Sequence, residues 1–390
     1  MKEIKTYFTS ESVTEGHPDK VCDKIADCIL DEYLRQDKNA HVACEVVVTE
    51  NYCLVFGEVK ANANVDVEKI VRKVVNEIGY NDDRLGFNGD TLKLDIRLGV
   101  QSADIDLGVG DDEGAGDQGM MFGLASNETP NYMSAPINYS HALTKRLEDL
   151  RKKEHVSFLR PDGKAQVTVE YHNNKLCRID NVVVSTQHSE DIDIDELRRF
   201  VKKEVIEKVL PKELLDKDTK YYINPTGRFC IGGPLGDSGL TGRKIIVDTY
   251  GGACHHGGGA MSGKDPSKVD RSAAYMLRYI AKNIVASGIV DKIEVGISYA
   301  IGMKDPTSVM VDTFGNKYSD KRINDELVCN MIREVFPLQP KQIIKYLDLR
   351  KPIYSQTTNY GHFGKESLPW EKLDKVSEVK EYFEKYFNKI

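Results

Sequence analysis

The order of elements along the chain predicts an α+β fold made of three pseudo-repeated domains, each a mainly antiparallel sheet with helices on one face. Three observations carry this expectation. Helix-period segments and strand-like runs recur three times in the order helix, hairpin, helix. The paired strand runs are joined by short polar turns, as hairpins require. The length of 390 residues, at about 100–200 residues per domain, accommodates two or three domains. Sequence identity between the rounds is negligible, so the repeat is one of pattern.

In the first round, Val21, Ile25, Ile29 and Tyr33, with Cys22, Ala26, Leu30 and Leu34 beside them, recur at helical spacing over 19–34. Strands follow at 42–49 and 53–59 around Glu50-Asn51. A second helix at 67–78 is closed by Gly79, and an alternating strand carries Leu92, Leu94, Ile96 and Leu98. The second round has a helix at 141–152, strands at 165–172 and 176–185 around Asn173-Asn174, a helix at 195–210 stopped by Pro211, and a strand at 220–223. The third has a helix at 268–286, strands at 293–301 and 308–314, and a helix at 323–335. The expected boundaries are an N-terminal domain at 1–104, a flexible active-site loop at 105–116, a central domain at 117–235, a C-terminal domain at 236–375 and a tail at 376–390.

Chemistry concentrates between Thr226 and Asp270. Twelve of the 31 glycines fall there, together with Arg228, Arg243, Lys244, Lys264 and Lys268. Glycine lets backbone N–H groups approach an anion, and the cations neutralise it, so the segment reads as a surface for a nucleoside triphosphate. The chain as a whole is acidic, 61 acids against 54 bases for a net charge of −7, which disfavours a nucleic-acid partner. The eight cysteines are dispersed, with no C-x-x-C pair and no secretory signal, which indicates a reduced cytoplasmic protein without structural zinc. Cys254-His255-His256 lacks partners at zinc spacing and reads as loop geometry. Apolar runs are too short for a membrane span.

Gly258-x-x-x-x-Gly263-Lys264, after a strand expected at 244–250, nearly completes a P-loop, but Asp265 stands where a hydroxyl should meet Mg²⁺. His17-Pro18-Asp19-Lys20 and Asp265-Pro266-Ser267-Lys268 share a form, so two helix starts are expected to aim a dipole and a lysine at one anion; proline at a helix start is the plainer reading. His17 and Asp19 also fit a cap and a dipole-favoured acid, Glu45 and Glu58 fit solvent-facing strand acids, and Lys164 fits a solvated turn lysine.

The runs from Phe8 to Lys20 (FTSESVTEGHPDK), from Gly114 to Gly119 (GAGDQG) and from Gly257 to Asp265 (GGGAMSGKD) resemble the signatures of the S-adenosylmethionine synthetases, or methionine adenosyltransferases. The resemblance runs from about Tyr7 to about Asp374. It implies a three-domain fold and a reaction of ATP, L-methionine and water giving S-adenosylmethionine, phosphate and pyrophosphate. It implies His17, Lys164, Arg243 and Lys264 as catalytic groups. ATP would be held by His17, Asp162, Lys164, Arg228, Phe229, Asp237, Arg243, Lys244, Ala260 and Lys264. Methionine would be held by Glu58, Gln101, Asp237, Lys264 and Lys268.

Asp19 and Asp270 would serve two Mg²⁺ per subunit and Glu45 one K⁺, with Asp117 supporting the site across a subunit contact. A homodimer or homotetramer with shared active sites is implied, with no nucleic-acid or membrane partner. Ala103 replaces a usual proline, Met261 a usual phenylalanine, and the segment between Gln101 and Gly114 is short for the family. With its glycines and five acids, residues 101–113 are expected to act as a lid. Two rival readings remain: a kinase or triphosphatase using the Gly-Lys run, and a non-catalytic nucleotide-sensing subunit.

Overall fold

The computed structural model describes residues 4–100 and 114–388. Strand β1 (Lys5–Val13) leads into helix α1 (Pro18–Gln36), which begins where the sequence supplies a cap: the His17 side chain accepts the Asp19 amide and Pro18 fills the first turn. The apolar face of α1 lies in one core with the even-numbered residues of β2 (His41–Thr49), of which Val42, Cys44, Val46 and Val48 are fully buried. That alternation is what a sheet with one covered face requires. Strand β3 (Tyr52–Lys60) returns antiparallel, α2 (Val67–Ile78) follows between caps Asp66 and Gly79, and β4 (Lys93–Gly99) runs parallel to β3.

Strand β5 (Gly119–Ser126) and helix α3 (Ala135–Lys152) precede the long hairpin of β6 (Leu159–His172) and β7 (Lys175–His188). Its turn is Asn173-Asn174, both at positive φ, which asparagine tolerates better than most residues. Helix α4 (Ile194–Phe200) continues through a π-helical stretch, Val201–Ile206, to one last turn at Glu207–Val209, and β8 (Lys220–Ile223) lies parallel to β7. The remainder comprises β9 (Gly239–Leu240), α5 (Ile245–Asp248), α6 (Val269–Ala286), β10 (Lys292–Tyr299), β11 (Ser308–Asp312), α7 (Asp325–Val335), α8 (Pro340–Tyr346) and α9 (Val376–Phe387).

The expected α+β class holds, with three sheets that are mainly antiparallel, but their strands are exchanged. The sheets run β1-β6-β7-β8, β11-β10-β5 and β4-β3-β2-β9. Each therefore takes one strand from outside the third of the chain that builds most of it. Packing follows the exchange: the first and last thirds share one apolar core, and the middle third has its own, formed around Val167, Val169, Val182 and Val184.

Two local readings are corrected. Residues 244–250 were expected as a strand because Ile245-Ile246-Val247 is β-branched; they instead hold the short helix α5, with the Asp248 amide bonded to the Lys244 carbonyl at 2.8 Å and the Asp248 side chain buried. The long helix expected from Lys268 begins at Val269 with Lys268 as its cap, so Pro266 precedes the helix. Among the described residues, no helix is long and apolar enough to cross a membrane.

Candidate active site

The site is assembled along one edge of β2. Strand β9 pairs with Val47 and Val48, while Lys264 bridges to Ala43 on the same strand. Four residues of strand separate these two anchor points, or about 13 Å. The predicted residues accordingly fall into groups.

At the β9 end, His17 caps α1 and is nearly fully buried. Its Nδ1 accepts the Asp19 amide at 3.2 Å, which leaves the proton of the neutral ring on Nε2 as a donor. Burial first, then Lys244 and Lys164, lower the imidazole to about 3 despite the opposing Asp19 carboxylate, so the ring stays neutral at physiological pH. Asp19 accepts the Leu240 amide at 3.0 Å and the Lys244 ammonium, and Arg243 Nε lies 3.8 Å from it. Burial pushes the Asp19 carboxyl up, but Lys244 and the Leu240 amide outweigh it and hold the acid below its ordinary range. Lys164, exposed on β6 beside Val13, faces both His17 and Asp162 closely enough to perturb them.

A second group lies beyond Lys164. Asp162 is buried and accepts the Gly233 amide at 2.8 Å, while its other oxygen has no partner among the described residues. Burial raises its carboxyl to about 6 against that amide and Lys164. The Phe229 ring and Asp162 both crowd Gly232. Asp237 follows on an exposed turn and raises Asp162 further. Arg228 extends to the rim and pairs with Glu190.

At the Ala43 end, Lys264 donates to Asp270 at 2.7 Å. Glu58, exposed on β3, sits opposite Ala43. Glu45 is half-buried; burial raises its carboxyl, with Thr241 and Lys264 opposing. Ala260 bridges towards the other group, since a Cβ on Gly242 would meet its methyl at 2.6 Å. Asp117 is exposed and accepts the Gln118 amide at 2.7 Å. Gln101 and the proposed lid at 101–113 lie outside the described residues.

The idea of two lysines aimed from two helix starts at one anion is corrected. Lys20 is fully buried, donating to Asp23 at 2.9 Å and to Asp248 at 2.5 Å, which keeps its ammonium charged. Lys268 is tied to Asp265, which is itself fully buried and accepts the Val42 and Ser267 amides. Asp265 therefore anchors a turn instead of facing phosphate, so its failure to match a P-loop costs the site nothing. Among the described residues, no three His, Cys, Asp or Glu side chains gather as a metal cage; in the Cys254-His255-His256 run, His255 pairs with Glu294 and His256 accepts the Gly258 amide.

Pattern reading missed the acidic face of α1. Asp19, Asp23, Asp27 and Asp31 stand four residues apart, all buried, and each accepts a backbone N–H from the C-terminal third: Leu240, Gly242, Gly263, and Tyr354 with Ser355, at 2.8–3.0 Å. The signal was visible as an i, i+4 row of acids beside the apolar stripe. Arg271 closes on Asp27 with two hydrogen bonds, at 2.7 and 2.6 Å, both partners being wholly buried.

Comparison with known proteins places the chain in a family. The S-adenosylmethionine synthetase N-terminal, central and C-terminal domains match residues 5–103, 112–229 and 231–372. An S-adenosylmethionine synthase of Clostridium botulinum (strain Alaska E43 / Type E3) is 54% identical over 394 residues, covering 97% of this chain and 100% of its own. With every third of the chain matched in order and a relative aligned along its full length, the chain belongs to the S-adenosylmethionine synthetase family.

Proposed function

We propose that the protein forms S-adenosyl-L-methionine from ATP, L-methionine and water, releasing phosphate and pyrophosphate. The observation that supports this reading is a neutral, buried imidazole beside Asp19, with Lys164 and Lys244 close enough to lower it, a set that suits a donor and cations acting on one leaving group. The methionine sulfur attacks ribose C5′; the S–C5′ bond forms as the C5′–O bond breaks, and the triphosphate departs with the electron pair. His17 donates its Nε2 proton to a hydrogen bond at the departing oxygen. Lys164, Arg243, Lys244 and Lys264 receive the growing charge, which they stabilise more in the transition state than in the ground state.

Arg228, Phe229, Asp162 and Ala260 frame the adenosine. Asp237 accepts the methionine ammonium, and Glu58, Gln101, Lys264 and Lys268 complete that subsite. A thioether is a modest nucleophile, so orientation supplies up to about 7–11 kcal/mol of the barrier reduction.

Asp19 and Asp270 offer one carboxylate each. This fits Mg²⁺, which takes one or two carboxylates and completes its shell with phosphate oxygens and water. Each acid is paired with a lysine of the triphosphate wall, so phosphate binding draws off the lysine and frees the acid for the metal. When bound, two Mg²⁺ per subunit supply charge neutralisation on the phosphate chain. One K⁺ is assigned to Glu45.

The split of the site along β2, and the apolar faces that the sheets turn away from their helices, support a homodimer or homotetramer with shared active sites. Phe56 and Val47 on one sheet, Met120 and Met310 on another, and Tyr7 and Tyr222 on the third remain partly exposed. Sedimentation at assay concentration should show an oligomer; an active monomer would contradict the shared site. The cytoplasm suits eight free cysteines.

Mass spectrometry of products from ATP plus methionine tests the reaction. S-adenosylmethionine, phosphate and pyrophosphate should appear together, more rapidly with K⁺, and should vanish in excess chelator. Phosphorylated acceptor or ADP alone would favour a kinase or triphosphatase, no turnover a sensing subunit, and undiminished product in chelator would remove the Mg²⁺ assignment.

A further inference from the structure

We propose that Asp23 and Asp27 are positioning residues that set the two halves of the triphosphate wall at a fixed spacing, using α1 as the ruler. This rests on the assignment of Arg243, Lys244 and Lys264 to the triphosphate. On an α-helix, residues four apart stand about 6 Å apart along the axis and on one face. Asp23 accepts the Gly242 amide at 2.9 Å, and Arg243-Lys244 follow directly in the chain. Asp27 accepts the Gly263 amide at 2.8 Å, and Lys264 follows directly. Each carboxylate thus holds the peptide immediately before a cation.

The two held peptides are left-handed, with φ of +74° at Gly242 and +80° at Gly263. A Cβ at Gly263 would lie 2.0 Å from the Cys44 carbonyl oxygen, so this loop runs hard against β2 and has one path. Charge-assisted bonds from carboxylate to peptide N–H are the stronger kind, and here they operate in a buried setting. Lys20, shared with Asp248, offsets the charge of Asp23, and Arg271 offsets that of Asp27, so the acids hold these peptides with little repulsion toward a bound triphosphate. Asp31 is the internal control: it is buried and accepts the Tyr354 and Ser355 amides in the same manner, but no cation of the site follows those residues.

The test compares purified full-length variants, with turnover normalised to the folded fraction and triphosphate hydrolysis assayed alongside synthesis. Misplacement of a reacting or stabilising group by ~1 Å costs as much as ~10²-fold. Asp23→Ala should lower kcat by about 10- to 100-fold for both steps with the KM for methionine little changed, and Asp23→Asn, whose amide oxygen still accepts the Gly242 N–H, should recover most of it. In an Arg243→Ala background, Asp23→Ala should cost several-fold less than it does alone, because one of the two cations it positions is already absent.

For Asp27, Asp27→Leu with Arg271→Met should turn over about 10-fold more slowly than Asp27→Asn with Arg271→Met, which keeps the acceptor without stranding a charge. Asp31→Ala should lower the melting temperature and leave kcat per folded molecule unchanged. If Asp23→Ala fails to fold, Asp23→Asn alone decides: near-native kcat at reduced stability supports positioning, and a 10-fold or greater loss overturns it. Equal kcat in the folded fractions of Asp23→Ala and Asp31→Ala also overturns it, while an inactive unmodified protein would instead refute the proposed reaction.

Discussion

Replacing Lys164 or Arg243 by alanine should reduce S-adenosylmethionine formation by about 10²–10³-fold, the usual cost of deleting one preorganised electrostatic donor. The two should then separate. Lys164 lies on β6 close enough to His17 and Asp162 to perturb both, and in the proposed reaction it would serve the bond that breaks, so its loss should fall mainly on synthesis. Arg243 lies beside Asp19 and in the proposed reaction would face the departing chain, so its loss should depress hydrolysis of added tripolyphosphate as well. Steady-state synthesis and tripolyphosphate hydrolysis, measured on both variants, check this. Near-normal turnover in both would remove them from the catalytic set.

Arg271→Met should destabilise the protein by about 3–5 kcal/mol, because it leaves a buried carboxylate without its counter-ion. The guanidinium and Asp27 are both wholly buried. The same guanidinium also donates to the Lys264 carbonyl at 3.0 Å and to Thr357 at 3.2 Å, and lies over the Tyr354 ring at 4.2 Å. Its removal therefore breaks a junction among α1, the glycine-rich segment and the chain near 357. Denaturant unfolding should show the loss, and Asp27→Leu added to Arg271→Met should restore part of it, since replacing both ions leaves no stranded charge. A loss below about 1 kcal/mol would mean that water or a rearranged partner reaches Asp27.

Local structure was legible where the pattern was local. Helix α2 was read over its observed bounds because Val67, Val71, Val74, Val75 and Ile78 mark one face and Gly79 ends it. The β6–β7 turn was legible from Asn173-Asn174. Strand β1 was not, because Thr6, Thr9, Ser10 and Ser12 carry little apolar alternation and its partner lies far along the chain: Thr9 pairs with Thr168. Residues 244–250 misled because strand propensity describes a fit to a sheet, and no sheet position awaits Ile245. The proposed site residues were named from long motifs. Their division along β2 and the aspartate row of α1 depend on contacts across some 200 residues, such as Asp23 to Gly242, which periodicity does not report.

The exchange of strands among the three sheets bears on how the chain emerges from the ribosome. Strand β1 is made first but pairs only with residues 164–172, and β2 waits for Gly239 and Leu240 before its edge is closed. At about 5–20 residues per second, β1 stays without its partner for about 10–30 s, and the edge of β2 stays open for longer. None of the three sheets is completed by its own stretch of chain, so N-terminal fragments are born with unpaired strands. Such edges invite association with other chains. The nascent protein stays exposed to misassembly until β10 gives β5 its partner, and a pulse-chase with truncated chains should find aggregation falling once residue 299 has cleared the exit tunnel.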